Sequence, residues 1–334
     1  MRPDQIALFT DAVRLDAAAR FGLILNPEQT LDGFENVVLE AEREGRPYII
    51  RLTHHTHRAV NQVHAELHWI DYLSTHGVSV CRPVRSKSGS LVENIRTEHD
   101  VFLAVAFEKA PGGPVKREHW TDAMTRNRGS LLGRIHHLTK RYEPLPAPAR
   151  RSHWYDDDDF MMYRQYLPAE DRVVGDRFEQ LQAYLRKLST DPDSYGLIHM
   201  DAHTGNIFFD GDRPTLFDFD DCCYDFLVSD IAISLFYAVV MYPDEKHRRE
   251  FARHFLTTFL DGYREENRLD NRWRELIPWI LKRREMVLYV AIHNGFDPEN
   301  FDDWCRAYRD RHRERIINQT PYLDLDWSQF DLGR

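Results

Sequence analysis

Basic charge, cysteine, glycine-rich loops and long apolar runs are all scarce in this chain. Acidic residues outnumber lysine and arginine by 54 to 44, giving a formal charge of −10. A surface that tracks nucleic-acid phosphates needs the opposite balance, so no nucleic-acid partner is expected. The four cysteines, Cys81, Cys222, Cys223 and Cys305, include no C-x-x-C pair. They offer neither a thiolate zinc site nor a disulfide framework, and they suit a reducing compartment, so a cytoplasmic protein is expected. Neither G-x-x-x-x-G-K-[ST] nor G-x-G-x-x-G occurs, which leaves the P-loop and Rossmann phosphate cradles unsupported. The longest strongly apolar stretch, Ile231–Met241, is far short of the roughly 20 residues that cross a bilayer, so it reads as a buried helix and no membrane partner is expected. The N-terminal MRPDQIALFTDAVRLDAAARFG carries charge throughout and reads as an amphipathic helix, without the apolar centre of a secretory signal.

A chain of 334 residues is long enough for two lobes. Asn36–Ala41 and Tyr48–Leu52 are β-rich runs flanking a charged turn at Gly45, the pattern of a hairpin. From His57 to His76, Val60, Val63, Leu67, Ile70 and Leu73 recur at helical spacing. Val78–Pro83 and Val101–Phe107 read as further strands. Proline and glycine in Glu108–Pro114 break both periodicities and mark a linker. Beyond it the chain reads as helical over 116–137, 171–189, 229–242, 245–266, 272–293 and 298–317, interrupted by short strands at 207–209 and 214–217. The expected class is α+β: a small β-rich N-lobe over 1–108, a hinge at 109–114 and a larger helical C-lobe over 115–334.

The chemistry concentrates in GLIHMDAHTGNIFFDGDRPTLFDFDD, Gly196 to Asp221. Phosphoryl transfer from ATP asks for a carboxylate that orients the acceptor hydroxyl and takes its proton, and for oxygen ligands that hold magnesium on the phosphates. Magnesium prefers one or two carboxylates together with amide oxygens, waters and phosphates. Asp201, then Asn206 five residues on, then Asp218 at the end of the next hairpin, supply that set. Asp220 is a further metal candidate through water, with a solvated carboxylate as the other reading.

The run His199-x-Asp201-x-His203-x-Gly205-Asn206, followed by Phe217–Asp218–Phe219–Asp220, resembles the aminoglycoside phosphotransferase and choline kinase family. Type II homoserine kinases and stress-response kinases belong to the same group. The resemblance implies a protein-kinase-like fold, ATP as co-substrate and Mg²⁺ as cofactor. It implies Asp201 as catalytic base, Asn206 and Asp218 as metal ligands, and His199, His203 and Asp230 as supports of the catalytic loop. It also places Gly33 and Asn36 in the loop that covers ATP, and Phe107, Glu108 and Ala110 at the hinge that reads adenine. Leu132–Leu138 resembles the helix ahead of the catalytic loop. The family pattern has lysine on the third strand, paired with a glutamate on the next helix; Arg51 and Glu66 stand there in this chain. Arginine is longer and planar and does not replace lysine freely, so the nucleotide site is either adapted to it or less active.

Other clusters have two readings each. His54, His55 and His57 suggest a metal but lack ligand spacing and accompanying carboxylates, and belong more simply at the start of the following helix. Asp156–Asp159, beside Trp154, Tyr155 and Phe160, would attract a cationic amine or form a solvated turn. Trp279, Tyr289 and Trp304 read as core, with the acceptor wall as the alternative; Arg283, Arg284 and Glu285 read as surface pairs, with substrate contacts as the alternative.

The function expected is transfer of the ATP γ-phosphate to a hydroxyl of a small molecule. Choline, ethanolamine, homoserine, another amino alcohol and an aminoglycoside all remain open, and the acidic balance suits a cationic acceptor. A stress-response-type protein Ser/Thr kinase and a non-catalytic nucleotide-binding module are the alternatives. The first is motivated by the shared fold, the second by Arg51 and the single-glycine loop. Monomer and homodimer are both left open.

Overall fold

The computed structural model describes residues 8–31, 36–156, 163–240, 242, 244–295 and 301–333. Two compact units emerge. The first holds the chain up to Pro111 together with 142–151 and 215–220; the second holds 112–141, 152–214 and 221 onward.

The first unit is built on strands β1 (Ile24–Leu31), β2 (Val37–Arg43), β3 (Arg46–His54), β4 (Pro83–Val84), β5 (Glu93–Arg96) and β6 (Val101–Glu108). The sheet runs β1-β2-β3-β6, with β4 and β5 both paired to β6, and every pairing is antiparallel. Side chains alternate across a strand, and β2 follows that rule, burying Val37, Leu39 and Ala41 in turn. Helix α1 (Asp11–Phe21) lays Val13, Ala17, Ala18 and Phe21 into the core formed with Ile50, Leu52, Phe102 and Ala104. Helix α2 (Val60–Thr75) buries Val63, Leu67, Ile70 and Leu73, four of the five apolar positions in the stripe its sequence shows, and Glu66 with them, while Val60 at its first position is exposed. The later segments join through specific contacts. Tyr142 bonds His68, Asn61 donates to the Pro148 carbonyl, Leu216 bridges Val80, and Phe219 meets the Trp69 ring edge-on.

The second unit holds helices α3 (Asp122–Thr139), α4 (Arg172–Leu185), α5 (Val228–Val239), α6 (Glu245–Glu266), α7 (Ile277–Gly295) and α8 (Asp303–Ile317). Its short strands are β7 (Tyr195–Ile198), β8 (Ile207–Asp210), β9 (Arg213–Leu216, whose last two residues belong to the first unit) and β10 (Cys223–Phe226). β7 pairs antiparallel with β10, and β8 with β9. Helices α3 and α6 pack backbone to backbone. A Cβ on Gly129 would lie 1.9 Å from the Phe259 carbonyl oxygen, and one on Gly262 would lie 1.9 Å from that of Arg126. Helix α5 is mostly apolar and correspondingly buried, with Ser229, Asp230 and Ser234 buried among its apolar residues.

The class is as read from the sequence, with a sheet-built N-terminal region and a helical C-terminal region. Several boundaries differ. Val78 is not in a strand, because its N–H bonds back to Leu73 and, with Gly77 at φ 78°, closes the end of α2. Only Pro83–Val84 of that stretch pairs as a strand. Helix α3 starts at Asp122, not Lys116, because the Thr121 hydroxyl caps the Met124 N–H. Asp302 likewise caps Cys305, so α8 starts at Asp303. Strands β5 and β10 have no counterpart in the sequence pattern. No described helix is long and apolar enough to cross a membrane.

Candidate active site

In the second unit, β7 ends at Ile198 and the chain turns through Met200 at φ 67°. A non-glycine residue in that region is held there by its surroundings. Asp230, in the first turn of α5, does the holding: its carboxylate accepts from the backbone N–H groups of His199 (2.9 Å) and Met200 (2.8 Å). His136 braces the same carboxylate at 3.2 Å and takes a bond from the Tyr263 hydroxyl on its other nitrogen. Arg128 and Ser234 both donate to the Ala202 carbonyl. His199 is fully buried, and its Nδ1 accepts from the Asp201 N–H.

This frame presents Asp201 with each carboxylate oxygen engaged. Oδ2 accepts from Asn206 Nδ2 at 3.0 Å and lies 3.2 Å from His203 Nε2. His203 Nδ1 accepts from the Gly205 N–H, so its proton sits on Nε2 and faces Asp201. Oδ1 takes a hydrogen bond from Arg284 of α7. Burial alone would raise the Asp201 pKa, but the Arg284 charge and the His203 bond lower it, so the group is ionised. Asn206 spends its amide nitrogen on Asp201; among the described residues its oxygen accepts no hydrogen bond and remains a donor atom for a cation.

The first unit gathers the remaining charged candidates. Arg51 donates through both terminal nitrogens to Glu66, at 2.8 and 2.7 Å, and the pair is 4% and 0% exposed. Burial opposes the guanidinium charge, but Glu66, Asp220 and Asp218 outweigh it and raise its pKa. The same guanidinium lies over the Phe107 ring. Asp218 has φ 62°, its side chain is 49% exposed, and its Oδ1 stands 4.0 Å from Arg51. Asp220 is not solvated, contrary to one sequence reading. It is 4% exposed and takes bonds from Asn36 (3.1 Å) and His57 (2.8 Å), with Arg58 at 3.7 Å and Arg51 at 3.8 Å. Its burial is overcome by Arg58, Arg51 and His57, which hold its pKa well below the ordinary value. Among the described residues its Oδ1 has no hydrogen-bond partner. Within the first unit, the open carboxylate oxygen of Asp220 and the accessible carboxylate of Asp218 are hard donors of the kind magnesium prefers; in the second unit, the amide oxygen of Asn206 is of the same class.

Other expectations are placed as follows. Asn36 is buried between the Thr53 hydroxyl and Asp220. The Glu108 N–H donates to the Arg82 carbonyl, and Ala110 is buried. Gly33 and Asp157–Asp159 lie outside the described residues, while Asp156 is exposed. Carboxylates do accompany the histidine cluster: His54 bonds Asp100 and His57 bonds Asp220. Trp279 and Trp304 are surface residues at 46% and 40% exposure, and only Tyr289 is core. Arg283, Arg284 and Glu285 are not surface pairs. Arg283 bonds Asp225, Glu285 bonds Lys282 and His312, and Arg284 reaches Asp201. Consecutive charges on a helix point in different directions, so one-sided amphipathicity gives no sign that all three would find partners inside the protein.

A model of the phosphotransferase enzyme family, APH, matches residues 28–279. The chain belongs to that family. Amicoumacin kinase of Bacillus subtilis (strain 168) is 34% identical over 323 residues, 95% of each chain. A solved structure of amicoumacin kinase hAmiN in complex with AMP-PNP, Ca²⁺ and Ami superposes with TM-score 0.89 at 34% identity, over 98% of this chain and 99% of that one. A microcompartment-associated aminopropanol kinase gives TM-score 0.72 at 19% identity, over 93% and 98%, and so shares the fold. This chain is thus a small-molecule kinase of that family, an ATP-dependent phosphotransferase acting on a hydroxyl; the hAmiN structure holds its nucleotide analogue together with Ca²⁺.

Proposed function

We propose that this phosphotransferase transfers the ATP γ-phosphate to a hydroxyl of amicoumacin or a close analogue, with Asp201 as base. The observation that carries the acceptor is the 34% identity to amicoumacin kinase, sustained over 95% of both chains. Asn206 and Asp218 are the proposed oxygen ligands of the divalent ion, with Asp220 as a further donor through its open Oδ1. Arg51, held by Glu66, is the cation proposed to offset phosphate charge, in the place where the family carries lysine. The small-molecule acceptor is read as cationic, which the charge of −10 and Asp221 beside Tyr237 and Arg284 support.

The chemistry asked of these groups is modest. In phosphoryl transfer the catalyst mainly positions reactants and stabilises charge. Asp201 aligns the acceptor O–H and takes its proton as the oxygen–phosphorus bond forms and ADP leaves.

The test is incubation with ATP, Mg²⁺ and amicoumacin, read by mass spectrometry. A product heavier by one phosphoryl group, absent with Asp201→Ala, supports the reading. ATP and Mg²⁺ should still raise the thermal midpoint of that variant. Product with an aminopropanol but none with amicoumacin would move the assignment to a simpler amino alcohol.

A further inference from the structure

Helix α7 carries three consecutive charges that bond within the protein, Arg283 and Glu285 buried and Arg284 partly so. Two of them serve the scaffold: Arg283 bonds Asp225 and Ser229, and Glu285 sits among Lys282, His312 and the Tyr308 hydroxyl. Arg284 does something different. Its terminal nitrogen donates to Asp201 Oδ1, while its Nε and the same terminal nitrogen bond the Tyr237 hydroxyl at 3.2 and 2.6 Å. The guanidinium carbon lies 5.0 Å from the Tyr237 ring centre. Asp201 is thereby gripped on opposite sides, by Arg284 on Oδ1 and by Asn206 and His203 on Oδ2.

A carboxylate turns easily about its last torsion, because that rotation has broad, shallow minima. The loop anchors at His199, Met200 and Ala202 fix the backbone but not that torsion. The side-chain donors fix it. A planar, multi-donor group does this better than an ammonium. The guanidinium also stays charged: burial opposes it, but Tyr237 and Asp201 raise its pKa. A nearby permanent cation makes Asp201 a weaker base. In a loose phosphoryl-transfer transition state, orientation matters more than basicity, so the exchange favours catalysis.

We propose that Arg284 is a positioning residue for phosphoryl transfer, fixing the orientation of the Asp201 carboxylate through a guanidinium that Tyr237 anchors. The proposal rests on Asp201 being the base. The acceptor oxygen forms its bond to the γ-phosphorus, the bond to the β-bridging oxygen breaks, and ADP carries away that electron pair. The acceptor proton passes to Asp201. Arg284 makes and breaks no covalent bond.

The experiment measures steady-state transfer to amicoumacin, and ATP hydrolysis to water in case another molecule is the true acceptor. Arg284→Ala should lower kcat about 100-fold, the scale on which small misplacements act, with KM for ATP and the ATP–Mg²⁺ thermal shift unchanged. Added methylguanidinium should restore part of kcat in Arg284→Ala and none in Asp201→Ala. Tyr237→Phe should cost less, and adding it to Arg284→Ala should cost nothing further, since the two act as one unit. A kcat for Arg284→Ala equal to the unmodified enzyme overturns the proposal. If Arg284→Ala does not fold, Tyr237→Phe decides, because it removes one hydroxyl and no charge; an unchanged kcat there overturns it equally. Full activity in Asp201→Ala would instead sink the base assignment, a separate result.

Discussion

At the scale of single residues, Arg51 and Glu66 make the sharpest case. Replacing Arg51 with Met leaves the Glu66 carboxylate fully buried with its bidentate partner gone. A buried charge stripped of its counterion costs about 3–5 kcal/mol, so the urea midpoint of Arg51→Met should fall steeply. Replacing both by apolar residues should recover much of that loss, because no charge is then left in the interior. Asp218 makes the opposite case. Its side chain is half-exposed, so Asp218→Ala should lower the unliganded thermal midpoint only modestly, through the strain of alanine at φ 62°. The rise that ATP and Mg²⁺ produce in the parent should disappear, since only binding to the folded state raises it. The proposed base and metal ligands, Asp201, Asn206 and Asp218, stand out in the sequence because they follow the family's motif and carry the groups that phosphoryl transfer needs. It gave no sign of Arg284, His57 or Arg58 as partners of the acidic residues. Their sequence separations from Asp201 and Asp220, 83, 163 and 162 residues, mean that only the folded chain brings them together.

At the scale of elements, the contact between α3 and α6 shows what a pattern of glycines means. Gly129→Ala would drive a methyl group to 1.9 Å from the Phe259 carbonyl oxygen, where neither backbone can yield without separating the helices. The expected loss is about 3 kcal/mol, the upper part of the usual overpacking range. Gly113→Ala, where a Cβ meets nothing within 4 Å, should be neutral in the same denaturation measurement. Long helices with a full apolar stripe, such as α2 and α6, could be read from periodicity. The four-residue strands β5 and β10 cannot, because so short a run carries too little alternation to be told from a loop. Helix starts differ from the periodic pattern where a cap decides them: Thr121 and Asp302 stop a pattern that composition alone would extend.

At the scale of the whole molecule, stability should depend on pH through the buried cluster of Lys282, Glu285, His312 and Arg315. Burial lowers the His312 pKa, and Arg248 and Arg315 add to that, although Nδ1 donates to Glu285. A histidine held below its ordinary value takes up its proton more readily in the unfolded chain. Its contribution is therefore complete above about pH 6.5 and is lost as pH falls below that value. Glu285 is also shifted down, its burial overcome by His312 and Lys282, so its contribution persists until pH falls through the ordinary carboxylate range, about 4. The thermal midpoint should decline on acidification from pH 7, and His312→Gln should flatten the upper part of that decline. A midpoint as steep in His312→Gln as in the parent would place the pH sensitivity elsewhere.

The segment Thr215–Asp220 belongs to the first unit although it lies more than a hundred residues beyond Pro111 along the chain. Without it, Arg51, His57 and Arg58 would face inward with no Asp220 to answer them. The first unit is therefore discontinuous in the gene. A chimaera that inherits residues 1–111 from one relative and the remainder from another joins cations and carboxylate of different ancestry. Recombination between such genes should leave working enzymes mainly where the hexapeptide travels with the sheet it completes.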